Sequence, residues 1–347
     1  MVHYCEAYWH DIMRALDCVP NLEQLRDKTI CITGATGMIC SSVVDLLMAW
    51  NRKRDGNVTL LLAGRSPERM AKRFSEAQEG VDYHFLPFDA TTGLAPSFQA
   101  DYILHGASNA NPAIYTKQPV ETMLANIIGL NALLAHTAQS GCRRLLYISS
   151  SEVYGRKQDP NPYHENDYGF VDILNPRACY PTDKRAAETL CVSYGQEYEV
   201  ETVIVRPGHI YGPSITASDS RASAQFTRSV AAGEPIVMKS AGQQLRSYCC
   251  TPDCASAILT VLINGKNGEA YNISNRNSVV TIREMAEAFA AASGQSVIID
   301  EASEAEKKGY NLMDNSSLDA QKLESLGWKA LFTMCEGAKW TLQFYRP

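Results

Sequence analysis

Apolar residues along this chain fall into two patterns that alternate. Short unbroken runs such as Thr29-Ile30-Cys31-Ile32-Thr33 give way to longer stretches in which apolar positions recur at helical spacing, as from Met38 to Trp50. An unbroken apolar run is what a strand looks like when both of its faces are covered. Further runs of this kind span Val58 to Ala63, Tyr83 to Pro87, Tyr102 to His105, Arg144 to Ser149 and Thr202 to Arg206, with helical segments between most of them. Strands that alternate with helices imply an α/β fold in which a doubly wound parallel sheet carries helices on both faces.

The two ends of the chain break this rhythm. Tyr8, Ile12, Leu16, Leu22 and Leu25 recur at roughly helical intervals, which predicts a helical arm over residues 1–27 that packs on the body or on a second subunit. After Pro207 comes a Gly/Pro/Ser-bearing loop from Gly208 to Ser220, then a helix near Arg221 to Ala232. A late strand at Ala270 to Ile273 and helices near Ile282 to Ala292 and Leu318 to Leu326 follow. The expected division is therefore an arm over 1–27, a sheet domain over 28–206 plus 247–275, and a smaller C-terminal α/β substrate domain over 207–246 plus 276–347.

Composition narrows the classes. With 45% hydrophobic and 20% charged residues the chain is an ordinary globular one, and 347 residues suit one large domain with a smaller companion. A formal charge of -6 without Lys/Arg tracts argues against nucleic acid and anionic membrane as partners. The 11 cysteines are scattered without metal-ligand spacing, and the cluster Cys249, Cys250, Cys254 has no histidine nearby, so reduced thiols and no metal are expected. The opening MVHYCEAYWHDIMRAL is interrupted by His, Glu, Asp and Arg, which excludes a signal peptide, and no later segment is apolar enough to span a bilayer. A cytoplasmic enzyme is the expectation.

Candidate chemistry begins at Gly34-Ala35-Thr36-Gly37-Met38-Ile39-Cys40, between the first strand and its helix. The first two glycines allow a tight turn and close backbone approach to a pyrophosphate at a helix N-terminus, a Rossmann-like arrangement. Cys40 stands where a third glycine is usual, and an ordinary βα turn would carry the same two glycines. The second strand ends at Arg65, where an acid would bind ribose hydroxyls and Arg suits a 2′-phosphate instead, so NAD is expected with NADP admitted. Asp89 follows the third strand, where it would reach an adenine amino group.

Tyr180 and Lys184, four apart in CYPTDK, project from one helix face. A nearby ammonium favours the phenolate, so such a tyrosine can take a hydroxyl proton while hydride leaves for a nicotinamide. The pattern Tyr-x-x-x-Lys is common by accident. Here it is joined by Ser149-Ser150-Ser151-Glu152-Val153-Tyr154-Gly155 after the fifth strand, which places hydroxyls and a carboxylate at the sheet edge where open α/β folds bind ligands.

In order along the chain, the glycine turn, His105-Gly106-Ala107-Ser108, SSSEVYG, CYPTDK and Arg206-Pro207-Gly208-His209-Ile210-Tyr211-Gly212-Pro213 resemble the extended short-chain dehydrogenases of the NAD-dependent epimerase/dehydratase type. NPRACY with KRAAETL, GPSITASDSRASAQF and GQQLRSYCCTPD resemble the UDP-glucuronate decarboxylases within that group. The resemblance implies catalytic roles for Ser150, Glu152, Tyr180 and Lys184. It implies cofactor contacts from Gly34, Thr36, Gly37, Met38, Ile39, Arg65, Asp89, Ala90, Ala107, Ser108, Asn126, Tyr180, Lys184, Pro207, His209 and Ile210. Substrate contacts would come from Ser108, Ser151, Glu152, His209 and Arg246, whose planar guanidinium suits a carboxylate. A nucleotide-sugar substrate is implied, and so is a homodimer packed through helices near Val120 to Ala138 and Tyr180 to Tyr198.

Three departures bear on recognition. His209 stands where the family usually has Asn, Arg65 replaces the usual acid, and KKGYNLMDNSSLDAQKLESLGW lacks the expected Arg before its LGW. A 4,6-dehydratase is the second reading, weakened because Ser151 occupies the position of that group's Asp. A 4-epimerase is the third, for which Glu152 is unnecessary. A non-catalytic dinucleotide-binding regulator is the alternative of another class.

Overall fold

The computed structural model describes residues 2–93, 97–216, 219–300 and 314–347. Residues 307–313 of the stretch before LGW, and 217–218 of GPSITASDSRASAQF, lie outside the described residues. The chain opens with α1 (Glu6–Leu16), which buries Tyr8, Ile12 and Leu16, the helically spaced positions of the sequence. The arm is folded onto its own chain: α1 lies against the helices Met38–Arg54 and Thr251–Asn264, and His3 N donates to the Phe344 carbonyl at 2.8 Å.

The main sheet grows from β1 (Thr29–Thr33), α2 (Met38–Arg54), β2 (Thr59–Gly64), α3 (Pro67–Arg73), β3 (His84–Pro87), β4 (Tyr102–His105), α4 (Pro112–Tyr115), α5 (Pro119–Ser140), β5 (Arg144–Ile148), α6 (Cys179–Tyr198) and β6 (Thr202–Pro207). Smaller elements follow as β7 (His209–Tyr211), α7 (Ala222–Ala231), β8 (Ile236–Met238), β9 (Leu245–Cys250) and α8 (Thr251–Asn264), and then β10 (Ala270–Ile273). The order across the sheet is β10-β6-β5-β4-β1-β2-β3, with every neighbouring pair parallel. This is the doubly wound sheet expected from the alternation of apolar runs and helices. All four residues of β4 and all six of β6 are buried, as strands covered on both faces must be.

The remaining short strands pair among themselves. β9 runs beside β7 and beside Asn315–Ser316 in parallel, and antiparallel to β11 (Val279–Thr281), which leads into α9 (Ile282–Ser293). α9 starts with a capping box, in which Thr281 Oγ1 accepts from Glu284 N and the Glu284 carboxylate from Thr281 N, and stops at left-handed Gly294. The helix expected near Leu318 to Leu326 is a single turn, Gln321–Glu324, and an unforeseen C-terminal helix runs over Met334–Phe344. Among the described residues no helix is long and apolar enough to cross a membrane.

Candidate active site

The glycine turn is held by close backbone packing. Gly34 sits at φ +68°, and a Cβ there would lie 2.7 Å from the Gly106 carbonyl carbon, so the turn and the end of β4 touch backbone to backbone. Gly37 caps α2, whose first turn carries the half-buried Met38 and Ile39. Cys40 departs from the glycine pattern without opening the packing, because its sulfur fills the space a side chain on Gly106 would need. Thr33 Oγ1 hydrogen-bonds His105 Nδ1 at 2.7 Å and accepts from Gly106 N and Ala107 N at 3.2 Å each. That hydroxyl fixes Ala107 and Ser108 opposite the turn. Ser108 Oγ is buried without a hydrogen-bond partner among the described residues, and Thr36 stands half-buried in the turn. A narrow cleft walled by backbone, with an orphan hydroxyl and a helix N-terminus, fits a dinucleotide pyrophosphate.

The neighbouring strand ends carry the next predicted residues. Arg65 is exposed at the end of β2. Asp89 Oδ1 accepts from Thr91 N at 3.0 Å and Thr91 Oγ1 at 2.8 Å, which holds its carboxyl below the usual range, with the Arg65 guanidinium acting in the same direction. Ala90 is buried against Gly129 of α5, where a Cβ would come within 2.6 Å of the Ala90 side chain. Asn126, also on α5, is fully buried and turned to α6, with Nδ2 donating to Asp183 Oδ2 at 3.0 Å.

Tyr180 and Lys184 owe their place to the start of α6. A turn at Pro176–Ala178 feeds the helix, and Pro181 falls in its first turn, where a missing N–H breaks no helical hydrogen bond. Lys184 Nζ donates to the carbonyl of Ile148, the last residue of β5, at 2.8 Å. It lies 4.6 Å from the Tyr147 ring centroid and 5.8 Å from that of Tyr180. Ser150 caps the turn of Ser151–Tyr154, its hydroxyl accepting from Glu152 N at 3.2 Å and hydrogen-bonding Tyr180. Burial pushes the Tyr180 phenol up, the Glu152 carboxylate acts likewise, and the Ser150 hydroxyl opposes them. Burial also lowers the Lys184 ammonium and raises the Glu152 carboxyl, the latter against the Arg177 guanidinium and the Tyr115 hydroxyl.

Tyr115 and Arg177 were not anticipated from the sequence. Tyr115 is fully buried and stacks on Tyr180 with ring centroids 5.1 Å apart and planes 8° from parallel. Its hydroxyl is 3.5 Å from Glu152 Oε1, and the Arg177 guanidinium lies 5.9 Å from its centroid. The result is a column of guanidinium, two phenols and ammonium beside one carboxyl.

Behind this column, Ser149 Oγ and the Arg206 guanidinium both bond the Glu188 carboxylate, with Arg206 two-pronged at 3.0 and 2.6 Å. A cavity of about 910 Å³ opens on that far side, lined by Arg185, Glu188, Glu269 and Lys322 among others, and contains none of the predicted site residues. Two ion pairs lie in its wall, Arg206 with Glu188 and Lys322 with Glu269.

Pro207 at the end of β6 and Ile210 on β7 are buried, and His209 stands between them as the first residue of β7. Burial, with the Arg246 and Arg221 guanidiniums, pushes the His209 imidazole down to about 3, so it is neutral, and Nδ1 has no hydrogen-bond partner among the described residues. Arg246, the expected carboxylate contact, lies inside β9 and is only 4% exposed, with Nη1 donating to the Leu245 carbonyl at 2.9 Å. Arg221, a residue the sequence did not flag, donates to the Ile210 carbonyl at 3.2 Å and reaches the Met38 sulfur at 3.4 Å, tying this region to the glycine-turn helix.

A profile described as the NAD dependent epimerase/dehydratase family matches residues 30–274. UDP-glucuronic acid decarboxylase 1 of Xenopus tropicalis is 29% identical over 324 residues, covering 92% of this chain and 72% of that protein. UDP-glucuronic acid decarboxylase 3 of Arabidopsis thaliana is 32% identical over 272 residues, covering 78% and 74%. Among solved structures, a UDP-glucose 4-epimerase of Thermotoga maritima with UDP-glucose superposes with a TM-score of 0.74 at 20% identity, covering 91% of this chain and 97% of that one. A dTDP-glucose 4,6-dehydratase of Bacillus anthracis in complex with NAD gives 0.74 at 18%, covering 91% and 96%. At those identities the two structures are likenesses of fold.

Proposed function

Because the chain belongs to the NAD dependent epimerase/dehydratase family, we propose that it is an enzyme acting on a nucleotide sugar through a transient 4-keto sugar, with UDP-glucuronate as substrate and decarboxylation as outcome. The gathering of Tyr180, Ser150, Lys184 and Glu152 at the sheet edge that also bears the glycine turn carries this reading. The similarity to UDP-glucuronic acid decarboxylases supports the substrate. Ser151 in the place of a second acid disfavours dehydration.

The turn from Gly34 to Ile39, with Ala107 and Ser108, would hold NAD, and Arg65 would admit the 2′-phosphate of NADP; a competition titration of NADP against NAD compares the two. When bound, the nicotinamide supplies a hydride acceptor for the sugar C4 and afterwards gives the hydride back. Tyr180 Oη takes the proton of the C4 hydroxyl, with Ser150 sharing that hydroxyl and Lys184 stabilising the phenolate. Arg246 holds the substrate carboxylate. The resulting β-keto acid breaks its C5–C6 bond, carbon dioxide leaves, and the electron pair passes into the enolate at C4. Glu152, protonated beforehand, gives its proton to C5 and is reprotonated from water. Tyr180 returns its own to the C4 oxygen as the ketone is reduced, so the cofactor is unchanged over one turnover. The subunits pair as a homodimer through α5 and α6.

Incubating the protein with UDP-glucuronate and other sugar nucleotides, read by mass spectrometry, tests this. Loss of carbon dioxide without accumulating NADH is expected. Loss of water from a hexose nucleotide would indicate a dehydratase, an isomer of unchanged mass an epimerase, and dinucleotide binding with no turnover of any of them a non-catalytic binder.

A further inference from the structure

Asp183 has no exposure, and it stands between Tyr180 and Lys184 on α6 without serving either step described above. Its Oδ2 accepts from Nδ2 of the fully buried Asn126 on the facing helix, and the same nitrogen donates to the Thr122 carbonyl at 3.2 Å. Asp183 Oδ1 and Asn126 Oδ1 are both buried acceptors without a hydrogen-bond partner among the described residues. Partnerless buried acceptors are unfavourable, and a proton on the carboxyl is the donor this pair can supply for itself.

The charged and titratable groups around Asp183 point the same way. On its own helix stand Lys184, whose ammonium is bonded to the Ile148 carbonyl, and Tyr180. The turn after β5 contributes Glu152, of like charge, and β5 contributes the Tyr147 phenol. From α5 come only the neutral Asn126 and Thr122. Burial raises Asp183 and Glu152 adds to it, while Lys184 opposes both; an ionised Asp183 in turn raises the Tyr180 phenol.

We propose that Asp183, seated on Asn126, is a positioning residue for the Tyr180–Lys184 pair: a buried proton-holding carboxyl whose ionisation offsets the Lys184 charge and makes Tyr180 hold its proton more tightly. While Asp183 stays neutral, the Lys184 charge acts on the phenol undiminished and the phenolate is favoured. This rests on the reading of Tyr180 as the base.

The test is a titration of the NAD-loaded protein in which the ultraviolet phenolate absorbance, taken as the difference from Tyr180→Phe, gives the Tyr180 midpoint without any sugar. Asp183→Asn keeps an amide that pairs with Asn126 and removes the ionisable group. It should lower the Tyr180 midpoint by about one pH unit, as loss of a like-charged neighbour does, and move the acid limb of turnover the same way. Asn126→Ala, which strips the ionised carboxylate of its donor, should shift the midpoint in that direction too and serves if Asp183→Asn does not fold. A midpoint that stays or rises in the folded variant overturns the inference. If Tyr180→Phe abolishes turnover while Asp183→Asn leaves the midpoint in place, only this inference fails; if Tyr180→Phe retains turnover, the functional reading itself is lost.

Discussion

The sulfur of Cys40 occupies the volume that a side chain on Gly106 would need, so the first turn of α2 and the end of β4 are matched across the cleft at the glycine turn. Ile148 closes the same spot, with its Cδ1 3.1 Å from a Cβ placed on Gly106. A methyl group there must push α2 outward or distort its neighbours. Gly106→Ala should therefore lower stability by about 1–3 kcal/mol, the usual effect of overpacking, and weaken NAD binding. Cys40→Gly in the same chain should restore much of both. Thermal denaturation and an NAD titration of the single and double variants measure the coupling, and a double variant no better than Gly106→Ala would show that the two positions do not meet.

The parts of this arrangement readable from sequence were those with a local period. β1 and β4 are short, mainly apolar runs whose limits agree closely with the structure. Tyr180 and Lys184 share a face because a helix repeats nearly every four residues. The setting of Arg246 was not readable, because β9 is a strand only through its pairing with β7, β11 and Asn315–Ser316, partners far along the chain. Tyr115 and Asp183 gave no signal for a similar reason: one is a single aromatic in a loop-like stretch, and the other is a polar helix position indistinguishable from a solvated one until α5 covers it. The C-terminal helix did carry a readable mark, the Thr333–Glu336 capping box before Met334 to Phe344.

Glu152 is the group assigned to give a proton to carbon, and Tyr180 the group assigned to the hydroxyl, so their substitutions should separate the two halves of the reaction. Glu152→Gln should cut product formation by about 10²–10⁴-fold, the range for losing a general acid or base. It should still let UDP-glucuronate produce a transient NADH absorbance in a stopped-flow trace. Tyr180→Phe should lose that transient as well while binding NAD normally. Product formation by Glu152→Gln at the wild-type rate would remove Glu152 from the mechanism.

Asp253 gives stability a pH dependence of predictable sign. The residue is fully buried in α8 and accepts from Leu331 N at 2.7 Å and Phe332 N at 3.1 Å, yet burial outweighs those bonds and pushes its carboxyl up to about 7. An acid whose pKa rises on folding stabilises the native state fully below its unfolded value, and that contribution is lost as pH climbs through the folded value. Its share of stability should fall between about pH 4 and 7, by at most about 4 kcal/mol. Asp253→Asn loses a backbone acceptor and should be less stable at pH 5. Its urea midpoint should change less between pH 5 and pH 8 than that of the native chain. Parallel pH profiles for the two proteins would rule Asp253 out as the source.

The outer faces of α5 and α6 explain why two copies should associate. Val120, Met123 and Leu124 of α5 are 62%, 38% and 43% exposed, and Val192 and Tyr198 of α6 are 41% and 54% exposed. Residues 120, 123 and 124 fall on one helix face, and α5 lies directly against α6, so a monomer would leave an apolar stripe of α5 in water beside α6. A twofold pairing of the same surface on both copies would bury it in a four-helix layer. The helices concerned bear Asn126, Asp183, Tyr180 and Lys184 on their inner sides, so association would also brace the site. Leu124→Asp places two carboxylates in such an interface, one per copy. It should halve the mass seen by light scattering and abolish the dependence of melting temperature on protein concentration. It should also reduce turnover more than NAD binding, since the cleft at Gly34 and Gly37 lies on other elements. A native protein of monomer mass at micromolar concentration would refute the pairing.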